Sequence, residues 1–274
     1  IWPLFKYANQ YNANLFCLSA VNQNDRWQEK FKQASSAFVD ISQLSPNQIH
    51  STVNELNINI LFDLSGFTKG SKISLFGRRM APIQVTWLGY PGTTGLNNMD
   101  YIFLDKYLNP EAKDLLHEKC LLTKGTSVCF SEMDEVPITD TLPEELRGYI
   151  TFGSLNNSYK LNDNTIARWA KVMRHCKDSN FLFVRREFES YFLRRNVLNS
   201  FDKHGISPER IHFLNNRKVK RHYLDCYNEI DICLDTFPVT GGTTTVDSLW
   251  MGVPVITLEG PNIHQRVSSA IIRH

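Results

Sequence analysis

The chain has 274 residues, 42% of them apolar and 21% charged, with 30 Lys and Arg against 28 Asp and Glu for a formal charge of +2. That length can bury a full core and suggests two domains, while the near balance of charge argues against a nucleic acid held by a global field. No apolar run approaches the roughly 18 residues of a membrane span, so neither nucleic acid nor membrane is an expected partner.

In chain order, short β-rich runs alternate with helical patterns. Residues 15–18 and 37–40 are predicted strands around a polar helix at 26–33. Ser45-Pro46 then opens a helix, with Ser at the cap and Pro just inside it. The continuous apolar run at 58–64 predicts a central strand covered on both faces, and 83–87 and 101–104 add further strands. Between Glu132 and Gly148 the pattern lapses into acidic and polar residues with Pro137 and Pro143, which places a domain boundary there and gives units of 1–145 and 146–274. A second cycle follows, with strands at 149–153, 181–185, 210–214, 231–234 and 253–258. Its helices are expected at 164–174, 191–204, 219–229 and 243–251, with a last one from His264. The alternation predicts two doubly wound parallel α/β units with a crevice between them.

Six cysteines without a CxxC pair, two of them (Cys17 and Cys233) inside strand-like runs, fit reduced thiols in a cytoplasmic protein better than a zinc site or disulfides. The chain opens Ile1-Trp2-Pro3 and ends on a helix-like segment, so both ends look cut from something longer.

The strongest local signal is the run from Asp231 to Asp247, DICLDTFPVTGGTTTVD. A strand ends near Asp235, Gly241-Gly242 permits a tight turn, and a helix starts among Thr243, Thr244 and Thr245. Ligands of open parallel sheets sit beyond the carboxyl ends of strands, and the first N–H groups of a helix point outward with partial positive charge. A phosphate suits the Gly-Gly-Thr turn, and Asp247, one turn inside, can accept from ribose hydroxyls; equally, the segment is a plain helix start whose dipole Asp247 complements. It is neither a Walker A loop nor GxGxxG.

At the first strand-to-helix junction of the second unit, Asn156 and Asn157 can turn the chain and donate amide hydrogens, and Lys160 precedes the helix where its ammonium can reach a diphosphate or simply be solvated. No two aspartates stand two apart, so the DxD metal motif is missing. If the chain is a nucleotide-sugar transferase, the growing charge of its departing nucleoside diphosphate still needs to be stabilised, and Lys160 with the helix start at 241–245 must then do what a metal does elsewhere, with no metal ligands assigned. In the first unit, the segments 63–70 and 81–95 supply Gly/Pro turns at sheet mouths, either as ligand loops or as simple connections. His222, next to Tyr223, and His264, at a helix start, are either surface residues or binding groups.

Taken together, the segments 60–95, 152–173 and 231–261, extended by HQRVSSA at 264–270, resemble the protein O-linked N-acetylglucosamine transferases and their bacterial relatives, glycosyltransferase family 41. WLGYPGT and the CLDT…GTTT…D…LWMG block are the most specific stretches, and their order is right. The resemblance implies a GT-B fold, two Rossmann-like doubly wound domains facing a central cleft. It implies UDP-N-acetylglucosamine as donor substrate with no further cofactor, inversion at the sugar carbon without a metal, and a protein or peptide Ser/Thr acceptor. Upstream tetratricopeptide repeats would present that acceptor. By the same resemblance Lys160 is catalytic and binds the diphosphate with Asn157 nearby, and Thr243 and Thr244 cap it behind Gly242. Asp247 holds the ribose, Tyr223 or His222 takes the base-stacking position, and Leu88, Gly89 and Pro91 lie near the sugar.

Several departures from the family pattern stand out. Gly242 occupies a position that is His in animal members, Asn59 replaces another His, and the join near 130–148 leaves no room for the intervening domain of the animal enzymes. The family's upstream histidine loop is not in this sequence, so residues 1–274 alone are expected to be inactive. Two alternatives stay open: the same fold with GDP-fucose or UDP-glucose as donor, and a non-catalytic nucleotide-binding scaffold module.

Overall fold

In the computed structural model, which describes every residue except 22, 24, 111–114, 132–135 and 220, the predicted local signals act where they stand. Strand β1 (Phe16–Ser19) pairs in parallel with β2 (Ala37–Asp40). Helix α1 (Trp2–Tyr7) precedes them, and α2 (Arg26–Ala34) lies between them, capped by the Asp25 carboxylate, which accepts from the N–H groups of Trp27 and Gln28. Helix α3 (Pro46–Glu55) starts with a capping box: the Ser45 hydroxyl accepts from Gln48 N–H, and the Gln48 side chain accepts from Ser45 N–H. Such reciprocal satisfaction of free donors fixes a helix start.

A second parallel sheet follows, β3 (Ile60–Asp63), β4 (Ile83–Thr86), β5 (Tyr101–Asp105) and β6 (Lys119–Thr123), in that spatial order. These strands and the β1–β2 pair lie in one compact unit, Ile1–Met133. The expectation for residues 58–64 is corrected here. β3 is an edge strand of its sheet, and Ile60 and Phe62 are 48% and 42% exposed. The register aligns Ile60 with Ile83 and Phe103 with Leu121, so the exposed Ile83 and Leu121 continue the same apolar face. A continuous apolar run was read as a doubly covered strand, but among the described residues only the Leu61 and Asp63 side of β3 is covered.

The second unit, Asp134–His274, begins with a stretch tied firmly to it. Thr139 N–H donates to the Asn228 side chain, Glu144 N–H to Asp231, and Arg147 of α4 (Pro143–Arg147) pairs with Glu229. Its sheet has the order β11-β10-β7-β8-β9, all parallel. The strands are β7 (Thr151–Ser154), β8 (Asn180–Val184), β9 (Ile211–Leu214), β10 (Ile232–Leu234) and β11 (Val255–Ile256). From β7 the chain adds β8 and β9 on one side, then returns to add β10 and β11 on the other. That reversal makes the carboxyl ends of β7 and β10 a topological switch point, where parallel α/β sheets bind ligands.

Helices α5 (Asp163–His175) and α6 (Tyr191–Lys203) pack on this sheet through Ile166, Trp169, Met173, Val197 and Phe201, which meet Phe152, Phe181 and Phe183 from the strands. The Trp169 ring stacks on Phe181 at 4.8 Å, and its Nε1–H donates to the Asp235 carbonyl at 3.1 Å. One core side chain thus anchors Asp235, the residue that follows β10. Two expectations are corrected by local geometry. The helix expected at 219–229 is a short 3-10 helix, Leu224–Glu229, and residue 220 lies outside the described residues. The final helix runs over Val267–Ile272, because His264 belongs to a 3-10 turn, Ile263–Gln265. Among the described residues no helix is long and apolar enough to cross a membrane.

Candidate functional site

The site of the second unit is built where β7 and β10 end. After Ser154 the chain turns through Asn156 and Asn157 into a one-turn 3-10 helix, Ser158–Lys160, and Asn162 then caps α5 by accepting from Thr165 N–H. The Asn162 amide also donates to the Phe237 carbonyl at 2.8 Å, which fastens this loop to the loop after β10. After β10 the chain runs through residues 235–242 into α7 (Thr243–Trp250). Gly241 is required there: a Cβ would meet the hydroxyls of Thr244, Thr245 and Ser268.

Lys160 and the turn, 80 residues apart in sequence, are brought into direct contact. Lys160 Nζ donates to Thr240 O at 2.8 Å and to Asn156 Oδ1 at 3.2 Å. The Thr244 hydroxyl donates to the same Asn156 oxygen at 3.1 Å. Burial, opposed by the Asp235 carboxylate and reinforced by Arg185, holds the Lys160 ammonium below its usual pKa. Gly241 N–H is taken by Asp235 Oδ1 at 2.8 Å. Among the described residues the N–H groups of Gly242, Thr243 and Thr244 find no acceptor, and Thr243 is exposed. A half-buried cation and three free N–H groups at a helix start form an anion-binding arrangement.

Asp247 lies one turn into α7, 6% exposed, and no described group donates a hydrogen bond to it; burial pushes its carboxyl up to about 6. Tyr223 is half-buried, and burial raises its phenol to about 12. Its ring meets Tyr227 edge-on at 6.0 Å, and both phenols feel the Asp247 charge. Tyr227 in turn donates to the Thr244 carbonyl. His222 is exposed, and its Nδ1 accepts from Leu224 N–H. Of the two neighbours, Tyr223 is the one whose phenol feels the Asp247 charge, while the His222 ring accepts from backbone two residues on.

Some expected roles differ. Asn156 serves the site's own framework: one Nδ2–H goes to Asp235, and its Oδ1 accepts from Lys160 and Thr244. The Thr245 hydroxyl is consumed by Ser268 at 2.7 Å. His264 buttresses the turn through its carbonyl, which accepts from Thr240 N–H and Oγ1–H. Asn157, partly exposed, caps the 3-10 turn by accepting from Tyr159 N–H. Two groups escaped the sequence reading. Arg185 follows β8 directly, is half-buried with Glu187 as ion partner, and its charge is felt at Lys160 and Tyr223. Asp235, 8% exposed, collects donors from several segments. Its place at the end of a strand before a Gly pair was the one available signal.

Leu88, Gly89 and Pro91 belong to the first unit and lie in a closely packed loop of their own. Leu88 adopts a left-handed φ of 70° and is 41% exposed. A non-Gly residue in that region needs support from its surroundings. The support comes from Gly89, where a Cβ would strike the backbone of Leu64 and Ser65. Further support comes from buried Glu118, which accepts from Thr93 Oγ1–H at 2.8 Å and Thr94 N–H at 2.6 Å. The Asp63 carboxylate accepts from Ser65 and Gly66 N–H and shapes the facing turn.

The sequence matches the family model described as glycosyl transferase family 41 over residues 3–126 and 138–273. The chain belongs to glycosyl transferase family 41. Among curated proteins it is 34% identical over 236 residues to a probable UDP-N-acetylglucosamine–peptide N-acetylglucosaminyltransferase SPINDLY of Oryza sativa subsp. japonica, covering 86% of this chain and 26% of that protein. It is 30% identical over 259 residues to the protein of the same name from Petunia hybrida, covering 93% and 28%. Among solved structures it superposes on a Thermobaculum terrenum O-GlcNAc transferase mutant with a TM-score of 0.91 at 27% identity, covering 99% of this chain and 51% of that one. The fold is therefore that of the GT-B glycosyltransferases. This family 41 chain spans about a quarter of the length of the plant relatives it matches and half that of the bacterial one.

Proposed function

We propose that this chain is part of a protein O-glycosyltransferase that moves N-acetylglucosamine from UDP-N-acetylglucosamine to Ser or Thr hydroxyls, inverting the sugar carbon without a metal ion. The observation that carries the reading is the Lys160 ammonium held 2.8 Å from Thr240 O at the open start of α7. When the acceptor oxygen bonds to the sugar carbon and the carbon–oxygen bond to the diphosphate breaks, the electron pair leaves with UDP and the hydroxyl proton passes to solvent. Lys160 and the N–H groups of 242–244 meet that charge with preorganised donors, as a divalent cation does in DxD enzymes. Asp247 accepts from the ribose hydroxyls, and Tyr223 lies against the base. The names of the family relatives support the donor and the peptide acceptor, and the missing DxD pattern supports metal independence. Leu88, Gly89 and Pro91 serve the sugar in this reading, supported by the left-handed backbone of Leu88 and the close approach of Gly89 to Leu64 and Ser65.

Calorimetric titration of UDP and of GDP into the full-length protein tests the donor: UDP binds more tightly, and tighter GDP binding overturns the assignment. Labelling of an acceptor peptide without added divalent cation and in the presence of a chelator tests the chemistry. Lys160→Ala, with its fold intact, lowers that labelling by about 10²–10³-fold, and full turnover by this variant refutes the role of the lysine.

A further inference from the structure

We propose that the buried Asp235 carboxylate is a positioning residue for the transfer reaction, setting the lysine-bearing loop and the helix-start turn in register with each other. The inference rests on the donor reading above and extends it to a group that touches no substrate. Asp235 Oδ1 accepts from Asn156 Nδ2 at 3.0 Å, Thr236 N–H at 2.8 Å and Gly241 N–H at 2.8 Å. Its Oδ2 accepts from the Thr257 hydroxyl at 2.8 Å. These donors come from the segments after β7, β10 and β11 and from the turn before α7. The Asp235 backbone is itself pinned to the core by Trp169.

Two of these bonds have a common consequence. The Asn156 side chain is an amide whose N–H end goes to Asp235 and whose oxygen accepts from Lys160 Nζ. The Thr240–Gly241 peptide is a second amide with the same arrangement: Gly241 N–H goes to Asp235, and Thr240 O accepts from Lys160 Nζ. In a trans peptide these groups point in opposite directions. Both acceptors of the Lys160 ammonium are thus amides oriented by one carboxylate. The anion decides which way the Asn156 amide faces, and so places its oxygen under both Lys160 and Thr244. It also polarises both amides toward the cation, as chains of hydrogen bonds do in a low-dielectric interior. The charged groups facing Lys160 are Asp235, which favours its protonated form, and Arg185, which opposes it, while burial opposes it most.

Asp235→Asn is the informative variant. An asparagine oxygen still accepts from Asn156, Thr236 and Gly241, and its NH₂ can donate to the Thr257 oxygen, so the shape is kept and the charge removed. The measurement is the affinity of UDP for the full-length protein between about pH 6 and 10, spanning the titration range of a depressed lysine, with thermal unfolding as the check on folding. In the wild type, UDP affinity falls on the alkaline side as Lys160 loses its proton. In Asp235→Asn that fall moves to lower pH by about one unit, and affinity at neutral pH drops about tenfold. Asp235→Glu, which keeps the charge but displaces the oxygens, weakens UDP by a similar factor with the alkaline fall left in place. If Asp235→Asn does not fold, the glutamate variant decides: wild-type affinity overturns the proposal, and weakened affinity with an unmoved alkaline fall supports it. A folded Asp235→Asn protein that binds UDP with wild-type affinity and pH dependence also overturns it. Wild-type protein that binds neither UDP nor GDP refutes the donor reading and this inference together, an outcome distinct from the other two.

Discussion

Replacing Asp247 with Asn separates stability from function, because this carboxylate is buried without a described hydrogen-bond partner. Its carboxyl is pushed from the ordinary 3.8 to about 6 by burial. The folded state therefore holds the proton more tightly than the unfolded chain. Below about pH 4 both states are protonated and no penalty exists. As pH rises from about 4 to about 6 the unfolded chain ionises first, so folding stability is lost over that window, and above it the penalty is complete. At about 1.4 kcal/mol per pH unit the full penalty is about 3 kcal/mol, and solvent screening at the mouth of the site reduces it to about 1.5 kcal/mol. Asp247→Asn is expected to be more stable than the wild type by about 1.5 kcal/mol at pH 7.5, with the difference vanishing near pH 4. The same substitution weakens UDP about tenfold, because a hydrogen bond to a charged acceptor is worth about 1.5–3 kcal/mol. Urea unfolding at the two pH values and calorimetry with UDP provide the check. A stability gain that is equal at both pH values, or absent at pH 7.5, refutes the burial argument.

Further predictions follow from the same geometry. Lys160→Ala costs about 10²–10³-fold in kcat, measured by peptide labelling of the full-length protein, while its unfolding midpoint stays close to the wild-type value. Gly241→Ala drives a Cβ into the hydroxyls of Thr244, Thr245 and Ser268, whereas a Cβ at Gly242 has only Val267 within reach, at 3.7 Å. The first change is expected to destabilise by about 1–3 kcal/mol and to lose UDP binding, and the second to cost clearly less, both read by urea unfolding and calorimetry. Gly89→Ala forces the 87–95 loop off the backbone of Leu64 and Ser65 and should also cost about 1–3 kcal/mol. Equal stability of Gly89→Ala and wild type in the same assay contradicts that packing.

Much of the second unit was legible because its signals are local. The helices expected at 164–174 and 191–204 form there, held at their starts by the Asn162 and Ser190 side chains through bonds made three residues on, and α7 starts at the Gly-Gly-Thr step. In the first unit the same kind of reading misjudged residues 58–64, since an apolar run states what a strand tolerates and not what covers it. It also extended a helix over 219–229 where, among the described residues, the 3-10 helix Leu224–Glu229 forms. That an amide hydrogen of Asn156 goes to Asp235 was not legible, because the two stand 79 residues apart in sequence.

The residues themselves determined the order of strands and helices, the cap positions and the presence of a lysine loop and a glycine turn at strand ends, because periodicity and capping are settled over a few residues. Only the tertiary structure decided that these two segments meet. The reversal of strand order around β7 sets β10 beside it, and the pairing of Ile232 with Phe152 brings Asp235 within reach of Asn156. A buried carboxylate then converts that adjacency into fixed geometry, since an ion removed from water must satisfy its oxygens with nearby donors.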